Sequence, residues 1–277
     1  MRNLISVAVC ILLSVSGAGA VENADADPVV GVPLTGDEAI DFLTNAEVVG
    51  EPEAFDPDAI TGPVRVTLSD GSRTYRAIFK DEDTRYPEFK FSDGRVVKEA
   101  RDSYRHEIAA YQLDRLLGLG IVPPCVEREI DSKKGSLCFW VEAAMTEADR
   151  RHRGLQSTDP ERYEEKLLEI ELFQQLIADL DYSDLRNLVI DDHLRLYKVD
   201  SSLAFDPDPD LLPGLDSSRM SRRLVEALRA LDKDTMEQAL KPWLLRDELT
   251  DLWKRRAKIL KRADRLIDQY GEHETLY

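Results

Sequence analysis

Alternating apolar and polar positions predict β-strands, most of them in the first half of the chain. Each run is short and is bounded by Gly, Pro, Asp or Ser, the residues that favour turns. The clearest pair meets at the Ser-Asp-Gly-Ser sequence of 69–72, which is typical of a hairpin. No strand is expected in the polar, turn-rich stretch 81–95. The predicted strands cover residues 64–68, 74–80, 125–130, 136–142, 188–190 and 194–199.

Apolar residues at helical spacing predict helices, and most of these lie in the second half of the chain. The first helix is expected to begin with a capping box, in which the Thr35 hydroxyl and the Glu38 carboxylate each accept a backbone N–H. The second is expected to end at Gly118, and the basic run 254–262 of the last one to face the solvent. The predicted helices cover residues 37–46, 98–117, 143–153, 160–179, 217–231, 233–240 and 246–270.

The order of these elements predicts an α+β fold with two lobes. A β-rich lobe with one long helix is expected over 35–142, and a mostly helical lobe over 143–277. The connection between them falls near 140–144, where the composition changes. Two lobes joined in this way leave a cleft between them, which is a natural ligand site.

The first 20 residues have the pattern of a signal peptide. Arg2 precedes an apolar run at 4–15, and the small residues 16–20 match a cleavage site. The run is about a dozen residues long, too short to span ~30 Å of hydrocarbon as a helix. Residues 21–34 are acidic and are expected to form a flexible leader. The protein is therefore expected to be exported, to the periplasm or as a secreted protein; a buried N-terminal helix is the alternative.

Acidic residues outnumber basic ones, 54 to 37, which gives a formal net charge of −17. Removal of the signal peptide would take away Arg2 and no acidic residue. Such a balance opposes binding to nucleic acid or to an anionic membrane, because phosphate groups are bound by clustered cations. No later segment is apolar for long enough to span a membrane, and a monomer is expected.

Two cysteines, Cys125 and Cys138, remain after the expected cleavage. An oxidising compartment would permit a disulfide between them, since both lie in predicted strands. Two buried free thiols are the alternative. The sequence leaves both possibilities open.

Four polar residues lie at the ends of predicted strands or within the helix between them, in the order that phosphoryl transfer from ATP requires. Lys80 ends a strand, Glu107 lies in the following helix, Asn187 opens a later strand and Asp200 ends the strand after it. A Lys neutralises phosphate oxygens and needs a carboxylate to hold it, and Asp and Asn oxygens suit Mg²⁺. Each residue alone could be a surface charge or a turn residue. Together they favour a nucleotide cleft.

The sequence resembles bacterial proteins related to the phosphoinositide 3-/4-kinases and to the secretory-pathway kinases of the Golgi casein type, within the protein-kinase-like superfamily. The resemblance extends over roughly residues 36 to 265. Its most specific part is the helix with its Val-Pro-Pro exit at 122–124. The matching stretches are 62–80, 104–124, 135–142 and 196–205.

This resemblance implies the role of each candidate residue. Lys80 would hold the phosphates of ATP and Glu107 would pair with Lys80. Asn187 and Asp200 would hold the metal, Mg²⁺ or Mn²⁺.

The resemblance also implies how the rest of the nucleotide is held. The hinge facing the adenine would be formed by 140–142, with Trp140 and Glu142 at its ends. Residues 61–63 would take the place of a glycine-rich loop, although only Gly62 in them is a glycine. Cradling of phosphate by backbone N–H groups is therefore expected to be weaker than in ordinary protein kinases.

The predicted catalytic loop departs from the family pattern, which is Asp-Arg-(His or Asn)-x-x-Asn. Five positions before Asn187 the chain has Tyr182, which has no carboxylate. Asp181 is one residue too far from Asn187 and Asp184 is two too near. We favour Asp181 as the general base, with a one-residue insertion. The Arg or His that usually follows the Asp is missing.

The sequence therefore predicts a nucleotide-binding cleft with one of two functions. The first is ATP-dependent phosphoryl transfer to a hydroxyl of an unidentified protein, lipid or small molecule. The alternative is a pseudokinase, a nucleotide- or partner-binding module without efficient catalysis. A purely structural secreted domain is a third interpretation. The stretch from Phe205 to Ser217 is short, which suits small-molecule or lipid-type kinases better than regulated protein kinases.

Overall fold

The computed structural model describes residues 30–54, 62–91, 93–191, 193, 195–214 and 217–277. The predicted signal peptide and most of the predicted leader lie outside the described residues. The strands are β1 Glu47–Ala54, β2 Val64–Ser69, β3 Thr74–Lys80, β4 Asp83–Lys90, β5 Val96–Ser103, β6 Cys125–Ile130, β7 Lys133–Phe139, β8 Ala144–Thr146, β9 Leu188–Asp191 and β10 Leu196–Lys198. The helices are α1 Gly36–Asn45, α2 Tyr104–Leu117, α3 Glu147–His152, α4 Pro160–Ile177, α5 Arg222–Ala230, α6 Lys233–Leu240, α7 Arg246–Tyr270 and α8 Glu272–Thr275.

The first lobe is built on an antiparallel sheet of five strands in the order β1-β2-β3-β7-β6. Ala77, Phe79, Leu137 and Phe139 of this sheet pack in one apolar cluster with α1. Because side chains alternate along a strand, Lys80 and its even-numbered neighbours point to the other face. Helix α2 packs against β6 and β7 and contributes to the larger apolar cluster of the protein.

The second lobe is mostly helical, and its core is continuous with α2 of the first lobe. Side chains from α4, α5, α6 and α7 pack with those of α2 in this one apolar cluster. A small sheet, in the order β10-β9-β8, lies where the two lobes meet. The predicted α+β architecture, β-rich first and helical afterwards, is confirmed. None of the helices in the described residues is long and apolar enough to cross a membrane.

A hairpin between β3 and α2 was not expected from the sequence. The stretch 81–95 contains β4, and the first residues of the predicted helix 98–117 belong to β5, so both predictions are wrong. Phe91 and Ala100 of this hairpin are buried against Leu180 of the second lobe. Tertiary packing therefore overrides the helical pattern. The turn signal Asp-Gly at 93–94 could have located the hairpin, since Gly94 has a φ of 89°.

Several other boundaries differ from the predicted ones for local reasons. Strand β1 was not predicted, although it pairs with β2. The helix expected from residue 143 begins only at Glu147, because β8 pairs with β9 first. The capping box is wrong, since Thr35 makes no side-chain cap and the Glu38 carboxylate accepts a hydrogen bond of 2.5 Å from Arg73.

The basic run of α7 does not simply face the solvent. Arg255 is fully buried, and its guanidinium donates hydrogen bonds to the carbonyl oxygens of Leu176 and Asp206, each at 2.9 Å, and of Asp208. Burial lowers the pKa of Arg255 to about 10, while nearby carboxylates oppose that shift. The side chain therefore ties α7 to the end of α4 and to the segment after β10.

The two cysteines that the sequence left open form a disulfide. Cys125 and Cys138 lie opposite each other on β6 and β7, and their sulfur atoms are bonded. A bridge over 13 residues limits the freedom of the unfolded chain and so stabilises the fold. Cys138 lies opposite Ile78 of β3, so the bond is on the side of the sheet that carries Lys80.

Gly31 joins the start of the described chain to the connection between the lobes. Its N–H and C=O pair with the C=O and N–H of Glu142, each at 2.9 Å. Gly31 has a φ of 77°, and an added Cβ would lie 2.5 Å from Asp191 Oδ2 and 2.6 Å from Arg195 Nη2. Only glycine fits here without moving charged side chains.

Replacing Gly31 with Ala is expected to destabilise the protein by about 2–4 kcal/mol, because strain at positive φ and a steric clash add together. Urea unfolding followed by circular dichroism would measure the change. Gly36→Ala is the matched control, since Gly36 also has a positive φ, of 61°, but an added Cβ there would meet nothing within 4 Å. Equal losses in the two variants would contradict the packing role of Gly31.

Candidate active site

Lys80 lies between two carboxylates at the junction of the lobes. Its Nζ is 2.7 Å from Glu107 Oε1 of α2 and 2.7 Å from Asp200 Oδ1 after β10. The second oxygen of Glu107 accepts a hydrogen bond of 3.0 Å from the backbone N–H of Ser201. The structure thus brings three of the candidate residues, from three separate elements, into one cluster.

The opposite charges in this cluster keep Lys80 and Asp200 ionised. Burial tends to lower the pKa of Lys80, but Asp200 and Glu107 raise it by more, so the net shift is upward. Burial tends to raise the pKa of Asp200, but the Lys80 ammonium lowers it by more, so the net shift is downward. Lys80 and Asp200 therefore stay charged over the whole physiological pH range.

Asp200 is held in an uncommon backbone conformation. Its φ is 56°, in the left-handed region, which is rare for residues other than glycine. The buried Lys198 ammonium donates to the carbonyl oxygens of Val199 and Asp200, at 2.7 and 2.6 Å. Lys198 in turn pairs with the buried carboxylate of Asp179, 3.0 Å away. This chain of contacts fixes Asp200 relative to the loop that begins at Asp179.

The predicted catalytic loop brings Asp181 to Asn187 despite the extra residue. The Asp184 N–H donates to Asp181 O, and the Asn187 N–H donates to Asp184 O. These successive turns shorten the path, and the Asn187 amide Nδ2 donates a hydrogen bond of 2.9 Å to Asp181 Oδ2. Tyr182, at the position five before Asn187, packs its ring against Arg95 instead.

The environment of Asp181 suits a proton acceptor. Burial raises the pKa of its carboxyl to about 6, and the negative charges of Asp179 and Asp184 add to this shift. The hydrogen bond from Asn187 opposes the shift only in part. A carboxyl with a pKa near the working pH can both accept and release a proton.

The hinge residues expected to face the adenine are held by protein contacts. The Glu142 carboxylate accepts two hydrogen bonds from Arg76, one of them 2.8 Å long. The Trp140 ring lies 5.7 Å from the guanidinium carbons of both Arg65 and Arg76. Of the three hinge residues, only Val141 has a backbone N–H that donates no hydrogen bond to the described residues. A free backbone donor is the group that a nucleotide base can use.

Sequence reasoning missed two residues near Asp200. Burial raises the pKa of Asp102, a hydrogen bond with Ser202 opposes this, and the charge of Asp200 adds to it. His106 is buried in α2, with its Nδ1 2.9 Å from Ser202 O. The sequence predicts one long helix over both positions, so it gives no indication of these contacts.

The stretch expected to replace a glycine-rich loop is described only in part. Thr61 lies outside the described residues, while Gly62 and Pro63 directly precede β2.

Within the described part of the chain, no group of three or more His, Cys, Asp and Glu side chains could hold a metal ion. The backbone brings Asn187 near the segment of Asp200, since the Val199 N–H donates a hydrogen bond of 2.9 Å to Asn187 O. Mg²⁺ keeps several waters and binds through one or two protein groups plus phosphate oxygens.

Comparison with known proteins relates this arrangement to solved folds. No protein-family model matches the chain, and no curated protein matches its sequence. The structure of a hydra Fam20 with sugar has a TM-score of 0.62 and 14% identity, over 90% of this chain and 95% of that one. A Golgi casein kinase structure has a TM-score of 0.59 and 15% identity, over 88% of this chain and 80% of that one. The chain therefore has the two-lobed protein-kinase-like fold.

Proposed function

We propose that the protein is an ATP-dependent phosphotransferase that acts on a hydroxyl of a protein, lipid or small molecule. The observation that carries this proposal is the contact of Lys80 with both Glu107 and Asp200, each at 2.7 Å. A lone Lys at a strand end could be a surface residue. A Lys held by carboxylates of two other elements is fixed for binding an anion in the cleft.

Each residue then has a role in the reaction. Lys80 would contact phosphate oxygens of ATP, and Glu107 would keep its ammonium group in place. Asp181 would accept the proton of the acceptor hydroxyl. Asp200 and the free oxygen of the Asn187 amide would hold Mg²⁺ or Mn²⁺, which supplies neutralisation of phosphate charge when bound. The Val141 N–H would donate to the adenine.

The pseudokinase alternative rests on one feature, the catalytic loop. Tyr182, which has no carboxylate, stands five positions before Asn187, and Asp181 is one residue farther from Asn187 than the usual spacing. Since phosphoryl transfer depends mostly on positioning and charge neutralisation, such a loop lowers turnover without preventing nucleotide binding. The contact between Asp181 and Asn187 favours the enzyme over this alternative.

The expected export, the nucleotide partner and the monomeric state belong to the same proposal. The disulfide between Cys125 and Cys138 supports export, because such bonds persist in oxidising compartments. The boundary between the lobes near residue 143 also remains a prediction.

Thermal unfolding with and without ATP and Mg²⁺ or Mn²⁺ tests the proposal. ATP at ~100 times its dissociation constant stabilises the folded state by ~2.7 kcal/mol. For a chain of this size that corresponds to a rise of about 5–10 °C in Tm. The metal-dependent part of the rise is expected to disappear in Asp200→Ala. Asp210→Ala is the matched control, because Asp210 pairs with Lys258 rather than with Lys80.

The two functions predict different outcomes of further assays. A metal-dependent shift together with release of ADP from ATP, whether the phosphoryl group goes to an acceptor hydroxyl or to water, supports the enzyme. The same shift without any ADP release supports the pseudokinase. No shift at millimolar ATP in the unmodified protein contradicts both nucleotide-binding proposals.

A further inference from the structure

The tip of the β4–β5 hairpin reaches the predicted catalytic loop through Arg95. Its Nη1 donates a hydrogen bond of 2.9 Å to Leu180 O, and its Nη2 donates one of 3.1 Å to Ser183 Oγ. These two acceptors stand on either side of Asp181 and Tyr182 in the chain. One guanidinium therefore holds both ends of the segment that contains the proposed base.

Three neighbours keep that guanidinium in position. Its carbon lies 4.6 Å from the centre of the Phe91 ring and 4.8 Å from that of Tyr182. Arg95 Nε donates to Asp93 Oδ2 at 2.6 Å, which leaves the two Nη atoms to the loop. Ser183 Oγ also donates to Asp93 Oδ2, at 3.3 Å. A planar, forked group that stacks on aromatic rings can make all of these contacts, whereas a Lys ammonium cannot.

Apolar packing joins the hairpin to the same loop. Phe91 and Ala100 of the hairpin are buried with Leu180, and Leu203 of the segment after Asp200 packs against them. The contact of Arg95 with the loop is therefore part of a built interface rather than an isolated surface pair. It connects the lobe that carries Lys80 with the lobe that carries Asp181.

We propose that Arg95 is a positioning residue for Asp181, and that it supplies from the hairpin the guanidinium that the catalytic loop lacks next to its Asp. The loop is one residue longer than the usual spacing, and Arg95 contacts both ends of the segment that contains Asp181 and Tyr182. Tyr182 provides a ring on which the guanidinium stacks. This inference rests on the proposed function for its catalytic consequence only.

Hydrogen–deuterium exchange of the backbone tests the contact without any need for activity. In Arg95→Ala, exchange of the Tyr182, Asp184 and Asn187 N–H groups is expected to become at least about tenfold faster, because two hydrogen bonds from a charged group are lost. Arg85→Ala is the matched control, since Arg85 lies in the same hairpin, is 55% exposed and, among the described residues, forms an ion pair with Glu99 alone, at 4.0 Å. Arg95→Lys is expected to restore the slow exchange only in part.

Kinetics with ATP and Mn²⁺ then test the consequence for the reaction. Arg95→Ala is expected to lower kcat about 10²-fold, because a displacement of ~1 Å at a reacting group has an effect of that size. The KM for ATP should stay the same, since Arg95 does not contact Lys80, Glu107 or Asp200. A purely structural loss would change both parameters and would lower the Tm.

The outcomes separate this inference from the proposed function. Equal exchange in Arg95→Ala and Arg85→Ala overturns the inference whether or not the protein is active. Faster exchange with unchanged kcat overturns the positioning role. If the unmodified protein neither binds nor hydrolyses ATP, the proposed function fails, and the catalytic role of Arg95 fails with it, while the exchange data decide separately whether Arg95 holds the loop.

Discussion

Replacing Asp181 with Asn is expected to lower turnover by ~10²–10⁴-fold, the usual contribution of a general base. Binding of ATP should be unchanged, because Asn can still accept the hydrogen bond from Asn187 and the cluster around Lys80 is untouched. ADP release measured at saturating ATP would report the loss. Asp184→Asn is the matched control, since it lies in the same loop and its carboxylate binds Arg186. A loss of the same size in the control would contradict the assignment of Asp181.

The pH dependence gives a second test of the same residue. Burial raises the pKa of Asp181 to about 6. A base acts only when it is deprotonated, so turnover is expected to fall about tenfold per pH unit below that value. This acidic limb should be absent from the residual activity of Asp181→Asn. A profile that is flat between pH 5 and pH 7 in the unmodified protein would contradict a role for Asp181 as base.

The raised pKa of Asp181 also predicts how stability depends on pH: stability falls as the pH rises through the range in which turnover increases. A carboxyl whose pKa is higher in the folded state binds its proton more tightly there, so its contribution to stability is full at low pH and is lost as the pH rises through about 6. At pH 7 the charged Asp181 therefore destabilises the fold. Asp181→Asn should raise the Tm at pH 7 while it lowers activity, which excludes misfolding as the cause of the lost turnover.

Replacing Arg255 with Met is expected to destabilise the protein by about 3–5 kcal/mol. Met fills much of the same volume, but the carbonyl oxygens of Leu176, Asp206 and Asp208 lose their donor in a buried site. Each buried acceptor left unpaired costs about 1–3 kcal/mol. Urea unfolding at neutral pH would measure the loss.

The matched control for Arg255 is Arg265→Met in the same helix. Arg265 is exposed, so its replacement should change the free energy of unfolding by less than about 0.5 kcal/mol. The segment held by Arg255 follows Asp200, and nucleotide binding is expected to weaken as well in Arg255→Met. A change of less than ~1 kcal/mol in the free energy of unfolding of Arg255→Met would show that water molecules replace the guanidinium as donors.

Much of the site could be predicted because its residues stand at the ends of regular strands. Lys80 closes a strand that alternates clearly, and Asp200 follows another, so their order along the chain indicated the cleft. The proposed role of Asp181 is harder to derive from the sequence, because the spacing to Asn187 is counted along the chain and the two turns that shorten the path are seen only in the structure. Tyr182 stands five positions before Asn187, where the family pattern has an Asp, but it has no carboxylate.

The remaining differences arise where long-range contacts decide the structure. Residues 98–103 have a helical pattern, but pairing with β4 and burial of Ala100 against Leu180 make them part of strand β5. Arg255 reads as part of a solvent-facing basic run, yet carbonyl groups from two distant segments surround it. Arg95 lies in a stretch with no predicted element, so its contact with the catalytic loop could not be inferred before the hairpin was known.

The position of Gly31 has a consequence for the order in which the chain folds. Its partners Glu142, Asp191 and Arg195 are synthesised long after it, and the chain must close a very long loop to bring them together. Contacts between segments so distant in sequence form late, because closing a long loop lowers the entropy of the chain before the contacts can stabilise it. The segment around Gly31 is thus expected to dock last, so that a nascent molecule keeps an open connection between its lobes until synthesis has passed β10.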